Sequence, residues 1–180
     1  MAAAGSNESA SAAKIDIAAR QGDSVFMTTN ALRLAKAAGI TVQVLEYPVD
    51  ESDLSAGHVA AAVGLDPDRV FKTLVCTGER GEAFVCVVPG SLELNLKKAA
   101  SAAGHKACAL LPLRELEGLT GYQRGGCSPV GLKKKLPVFL DETAALWDSI
   151  SVSAGARGAQ MVLAPADLLR LAGARWADLV

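Results

Sequence analysis

Hydrophobic positions along this chain change their period several times, and each change marks an element. Residues 41–47 (TVQVLEY) alternate apolar with polar, as a half-buried strand does, and the run ends at Pro48. Residues 70–76 (VFKTLVC) form a β-branched apolar run. After the turn TGERGE comes its partner AFVCVVP, and the pair predicts a hairpin. A short strand is expected over 105–109, and LPVFLD, ISVSA and AQMVLA predict three more, with a helix over 142–147 between the first two. Glycine-punctuated stretches predict the other helices. One covers 31–38, with Thr29 or Asn30 as N-cap and Gly39 as stop; another covers 55–63 and closes at Gly64. A third covers 96–103 behind Asn95, a helical turn covers 113–117, and a last helix covers 165–171, opened by Pro165. Strands outnumber helices and short turns join most of them, which predicts an α+β domain around a curved, mostly antiparallel mixed sheet with flanking helices.

The pattern starts only near residue 29. Residues 1–28 are rich in Ala, Ser, Gly and Asn and read as an N-terminal extension, leaving 29–180 as a single compact domain. A transit peptide is the rival reading of that extension, but Glu8, Asp16 and Asp23 outnumber Lys14 and Arg20. With 180 residues the chain is long enough to bury roughly two-thirds of its unfolded surface without covalent staples. Half of it, 51%, is hydrophobic, yet aromatics are only 4%, so base stacking on exposed rings is not its main means of holding a ligand. A net charge of -1 argues against a general nucleic-acid coat, and no DNA partner is expected; any RNA contact has to be local. No apolar stretch is long enough to span a bilayer and no secretory signal precedes the domain, so a cytoplasmic location is expected. The cysteines at 76, 86, 108 and 127 form no C-x-x-C pair, and with only His58 and His105 beside them neither a metal site nor a cofactor is expected; they read as reduced thiols.

Three features break the local rules. Lys72 shares a strand face with Val70, Leu74 and Cys76, where an ammonium is costly unless it has a partner; a lysine snorkelling from an edge strand is the plainer reading. Between residues 120 and 131, four glycines surround Ser128 and Pro129. Such a backbone can approach a ligand and aim N–H groups at an oxyanion, or it can simply make a tight turn. Lys133, Lys134 and Lys135 follow directly, as a phosphate contact or a solvated charge run. Lys97 and Lys98 are a lesser anomaly, since they stand in the first turn of a helix and oppose its dipole. No nucleophile motif accompanies either histidine, and Cys127 is the one thiol inside the glycine segment.

Taken in order, VFKTLV, LELNLKKAASAAG, LTGYQRGGCSPVGLKKKLPVFLD, SAGARG and LAPADLLRL resemble the YbaK family of aminoacyl-tRNA deacylases, relatives of the editing domain of bacterial prolyl-tRNA synthetase. The resemblance runs from about residue 30 to the C-terminus. It implies a convoluted, barrel-like mixed sheet whose cleft takes the aminoacylated CCA end of a mischarged tRNA, with prolyl-tRNA synthetase as an expected second partner. The family's lysine falls on Lys72 and its glycine pair on Gly125 and Gly126, which the resemblance makes catalytic. Substrate binding is implied for Tyr47, Phe71, Thr120, Gly121, Tyr122, Cys127, Ser128, Pro129, Gly155 and Gln160, with Gly158 completing a second glycine loop and Lys133 and Lys134 contacting phosphate. Two positions depart from the family: Gln160 stands where the cysteine-specific branch has an aspartate, and Cys127 where it has an aliphatic residue.

The activity implied is removal of a wrong amino acid, cysteine above all, from tRNA(Pro). In that branch the thiol of the misattached cysteine attacks its own ester and leaves as a thiolactone. An intramolecular attack of this kind reaches effective molarities of roughly 10⁵ M when its geometry is held, so few catalytic side chains are needed. Alanine or serine specificity, a noncatalytic tRNA- or synthetase-binding module, and a hydrolase that uses Cys127 are the competing expectations.

Overall fold

The computed structural model describes residues 28–180, so the expected extension lies outside the described residues except for residue 28. Helix α1 (Asn30–Ala37) starts where the Thr29 hydroxyl accepts from the Leu32 amide at 3.2 Å, and it buries Ala31 and Ala35. Strand β1 (Gln43–Glu46) leads to α2 (Ala56–Val63), which Ser55 caps and Gly64 ends. The predicted hairpin is β2 (Phe71–Gly78) and β3 (Ala83–Pro89), followed by α3 (Leu96–Ala102) behind its Asn95 cap. Then come β4 (Cys108–Leu110), α4 (Leu113–Thr120), β5 (Val138–Asp141), β6 (Ile150–Ala156), β7 (Ala159–Leu163), α5 (Pro165–Ala172) and β8 (Arg175–Ala177).

Four details differ from the pattern-based expectations. The strand expected at 105–109 forms at Cys108–Leu110, because β2 supplies its partners only from Cys76 to Gly78. The turn at 113–117 continues to Thr120, whose hydroxyl bonds back to the Leu116 carbonyl at 2.7 Å. The helix at 142–147 is a 3-10 turn, Glu142–Leu146, capped by Asp141. Strand β8 was not anticipated at all. Tertiary contacts hold it: it pairs with β5, and just beyond it the Leu179 amide donates to Asp141 Oδ2 at 2.9 Å while the Leu179 carbonyl accepts from Asn95 at 2.7 Å.

The strands form two ladders, β1-β7-β6 and β4-β2-β3-β5-β8, joined by a bridge between Val70 and Ser151 rather than closed into a ring. Pairing is mostly antiparallel, with β3-β5 and β5-β8 parallel, so the class is the mixed α+β expected. Strand β3 is apolar throughout because both its faces are buried: Val85 and Val87 face the main core with Phe71, Val75 and Leu140, while Phe84, Cys86 and Val88 face a second core beneath α3. At the solvent rim of that second core Lys98 reaches across to Asp178 Oδ1 at 2.7 Å and to the Val180 carbonyl, so its place in a first turn is explained by anchoring the chain beyond β8.

What positions the site is an asymmetry in β2. On one side it pairs with β3 along its whole length; on the other, β4 covers only Cys76 to Gly78. The first half of β2 is therefore a sheet edge inside the molecule, with α2 and α4 beside it.

Candidate active site

A cleft of about 440 Å³ runs along that open edge of β2. Residues 70–75 form its floor, Leu54 to Val59 at the start of α2 one side, and Leu110 to Leu116 with Gly125 and Cys127 the other; Ser153 and Gln160 reach in from the three-stranded ladder. Gly90 is what lets α2 come so close. A Cβ there would lie 2.4 Å from that of Ala56 and 2.8 Å from the Val70 carbonyl.

Lys72 lies on the same face as Leu74 and Cys76, opposite Val88, as alternation requires. Its side chain is half-buried and lines the cleft, and its ammonium donates to the Gly90 carbonyl at 3.3 Å. One long hydrogen bond leaves two of its three N–H groups for a ligand. Phe71 is buried in the main core and shows the cleft an edge. Thr73 lines the same stretch, with a buried hydroxyl that has no partner.

The glycine-rich segment divides into parts that line the cleft and parts that hold the segment in place. Gly125 and Cys127 line it, and among the described residues their backbone N–H groups donate to no protein acceptor. The Gly126 N–H, by contrast, donates to the Gln123 carbonyl at 3.0 Å and is not free for a ligand. This residue is a glycine for packing: a Cβ would stand 2.9 Å from the Arg157 nitrogen in the β6–β7 turn. Arg157 clamps the segment further, its Nε donating to the Arg124 carbonyl at 2.8 Å while Nη1 meets Glu51 at 3.3 Å.

Several residues expected to bind substrate do not line the cleft. Thr120 is buried and accepts from the Tyr122 amide at 3.0 Å; Tyr122 is buried too, donating its hydroxyl to the Val130 carbonyl at 2.6 Å, and burial pushes that hydroxyl up to about 12. Ser128 accepts from the Val130 amide at 3.3 Å and, like Pro129, is buried. Gly121 ends α4, and Gly155 sits where an added Cβ would be 3.0 Å from the Tyr122 ring. These residues form the support that fixes where Gly125 and Cys127 point. Tyr47 packs against the buried cluster of Val59, Ala60 and Val70, with its amide donating to the Gly158 carbonyl at 2.9 Å. Lys133 and Lys134 are exposed beyond the far end of α4 and line no part of the cleft.

Gln160 does line it. Its Oε1 accepts from the buried Ser151 hydroxyl at 3.0 Å, which orients a neutral amide, not a carboxylate, at this position. Two lining residues carried no sequence signal that separated them from ordinary surface charge. Arg124 forms no side-chain ion pair or hydrogen bond among the described residues, and Glu93 is the one carboxylate among the lining residues. No histidine lines the cleft. Burial pushes the Cys127 thiol up to about 11, so it stays protonated at neutral pH and is a poor nucleophile.

The arrangement offers a cation, unpaired backbone amides, a neutral amide and apolar walls, but no nucleophile–base pair. Such a set can hold an oxyanion and position an ester. Comparison with known proteins agrees with this chemistry. Residues 51–171 match the family model for the aminoacyl-tRNA editing domain. An Enterococcus faecalis protein with the provisional name Cys-tRNA(Pro)/Cys-tRNA(Cys) deacylase EbsC is 44% identical over 151 residues, which cover 84% of this chain and 92% of that protein. A proline--tRNA ligase of Pelobacter propionicus is 33% identical over 87 residues, 48% of this chain but only 15% of the ligase. Among solved structures, one provisionally described as a trans-editing enzyme for prolyl tRNA synthetase superposes with a TM-score of 0.72 at 32% identity, covering 85% of this chain and 98% of that one.

Proposed function

This chain belongs to the aminoacyl-tRNA editing domain family, and we propose that it is a trans-editing deacylase that removes cysteine from mischarged tRNA(Pro). The observation that carries the reading is a cleft equipped to bind and polarise an ester, in which burial keeps the one thiol protonated and no histidine stands beside a hydroxyl to activate it. The attacking atom then comes from the substrate. With cysteine esterified to the terminal ribose, its thiol adds to its own carbonyl, the C–S bond forms, the C–O ester bond breaks, and the ribose hydroxyl leaves with the thiol's proton. The products are a thiolactone and free tRNA.

In this reading Lys72 grips the terminal ribose or its phosphate, and the amides of Gly125 and Cys127 receive the carbonyl oxygen as it becomes an oxyanion. The Gly126 amide, tied to Gln123, keeps those two in place. Arg124 adds a cation on the same lining. Gln160 presents an amide where a carboxylate would repel phosphate. Cytoplasmic action on the tRNA pool, with prolyl-tRNA synthetase as a second partner, belongs to the same proposal.

Incubating the purified protein with Cys-tRNA(Pro), Ser-tRNA(Pro), Ala-tRNA(Pro) and Pro-tRNA(Pro) tests it. The cysteine ester should be lost fastest, with a thiolactone or its hydrolysis product released. Equal loss of the serine and cysteine esters would refute a mechanism that needs the substrate's sulfur, and protection of all four esters would show a binding module instead.

A further inference from the structure

A second depression, of about 600 Å³, lies between α3 and the edge strand β8. Unlike the cleft it is shallow and charged, with Lys97, Lys98 and Arg175 set against a single carboxylate, Asp178. Lys98 and Asp178 satisfy each other at 2.7 Å. Lys97 and Arg175 have no anionic partner among the described residues; the Arg175 guanidinium lies over the Phe139 ring at 5.0 Å, which fixes its direction without neutralising it. Trp176, next in β8, also borders the depression and is 41% exposed, with its side chain on the sheet face opposite to those of Arg175 and Ala177.

The fold neutralises neither of the two cations. Lys97 opposes the dipole of α3 and, unlike Lys98, anchors nothing. Trp176 leaves its indole in water at the end of a sheet. Two uncompensated cations on one open face are what a polyanionic nucleotide chain engages, each meeting a phosphate. The depression also lies close to the cleft. Glu93 lines the cleft and Lys97 the depression, and four residues of chain span at most about 14 Å.

We propose that this groove is a second RNA contact, gripping the tRNA next to the end held in the cleft. The proposal rests on the deacylase reading for the identity of the RNA. It separates affinity from chemistry: residues in the groove hold the body of the tRNA, and the cleft acts on its terminus.

The test uses the double variant Lys97→Glu/Arg175→Glu and the single variant Trp176→Ala, all at exposed positions. Binding of uncharged tRNA, followed by fluorescence anisotropy, should weaken about tenfold or more in the double variant, with the salt slope shallower by about 1.4 to 1.8 for two lost phosphate contacts. Trp176→Ala, on the opposite sheet face, should leave tRNA affinity within about twofold. A minimal substrate, cysteine esterified to adenosine alone, should be turned over by all variants with unchanged kcat and KM. Unchanged tRNA affinity in the double variant would overturn the proposal. So would an equal loss on the minimal ester, which marks a structural role, or a defect seen only when prolyl-tRNA synthetase is present, which marks a protein-docking surface. If the wild-type protein cleaves no ester, the deacylase reading fails, while weakened tRNA binding by the double variant still upholds the groove.

Discussion

The cleft along β2 and the groove between α3 and β8 are made of different materials. The cleft is walled by aliphatic side chains and main chain, and its lining holds one lysine, one arginine and one carboxylate. The groove is open, with three cations set against one carboxylate. A charge in the groove is bathed in water and screened by salt, so it helps collect a polyanion but discriminates little between states of a reaction. A donor in the cleft acts where water is scarce, and there a small displacement of charge is felt strongly. The contrast teaches that rate should be sensitive to cleft residues and affinity to groove residues.

The sharpest way to break that contrast is Lys72→Ala. With Lys72 on the terminal ribose, its ammonium faces the oxygen that leaves. Loss of a donor that meets such developing charge costs about 3 to 4 kcal/mol, so single-turnover deacylation should fall by at least about a hundredfold. The fold should survive, because among the described residues the ammonium's one hydrogen bond is to the Gly90 carbonyl at 3.3 Å. A variant that keeps wild-type turnover and loses only tRNA affinity would place Lys72 with the groove residues and dissolve the distinction.

A second test separates the cleft's chemistry from its architecture. The Cys127 thiol has an ordinary value of 9.0, and burial raises it to about 11 in the folded chain. A raised value means that the folded state keeps its proton longer than the unfolded one. The stabilisation is therefore complete below pH 9 and is lost as pH rises from 9 through about 11. At 1.36 kcal/mol per unit the loss is about 2 to 3 kcal/mol. Denaturant unfolding across this range should show the decline, and Cys127→Val should remove that part of it while leaving deacylation within about twofold. Abolished turnover in this variant, with its stability at pH 7 intact, would restore the thiol as nucleophile.

How far the site could be read from the residues follows the same division. The ends of the elements were legible wherever a local interaction sets them: Thr29, one of two candidates, and Asn95 cap as their side chains predict, Ser55 turns out to be the cap of α2 and not its first residue, and the hairpin follows from two apolar runs around a turn. Lys72 stood out because period-two alternation puts a charge on an apolar face. The glycine-rich segment was legible as special, but its two jobs were not separable, since Gly125 at the cleft and Gly126 against Arg157 look alike in sequence. Thr120, Tyr122 and Ser128 carry polar atoms that suit a ligand equally well, and only the fold shows them spent on Leu116, Val130 and one another's backbone. Strand β8 was hidden for a related reason. Three residues carry no period, and what holds them is Asp141 and Asn95, far away in the chain.

The smallest effect is expected at Lys133 and Lys134, the remaining basic run. Both are exposed, and neither lines the cleft or the groove. Lys133 starts where its amide donates to the Thr120 carbonyl at 2.9 Å, beyond the end of α4 opposite to Leu113 and Leu116, which face the cleft. We retain the two lysines as outlying phosphate contacts, and a solvated contact at such a distance from the reacting ester can only add to attraction. Lys133→Ala/Lys134→Ala should raise KM for Cys-tRNA(Pro) by no more than about threefold at low ionic strength, an effect that fades as the Debye length shrinks below about 8 Å. The minimal adenosine ester should not register the change at all. A loss of kcat in this variant would mean that the tRNA lies across the end of α4 and reaches the cleft from that side, and the path assigned to it past α3 and β8 would then have to be given up.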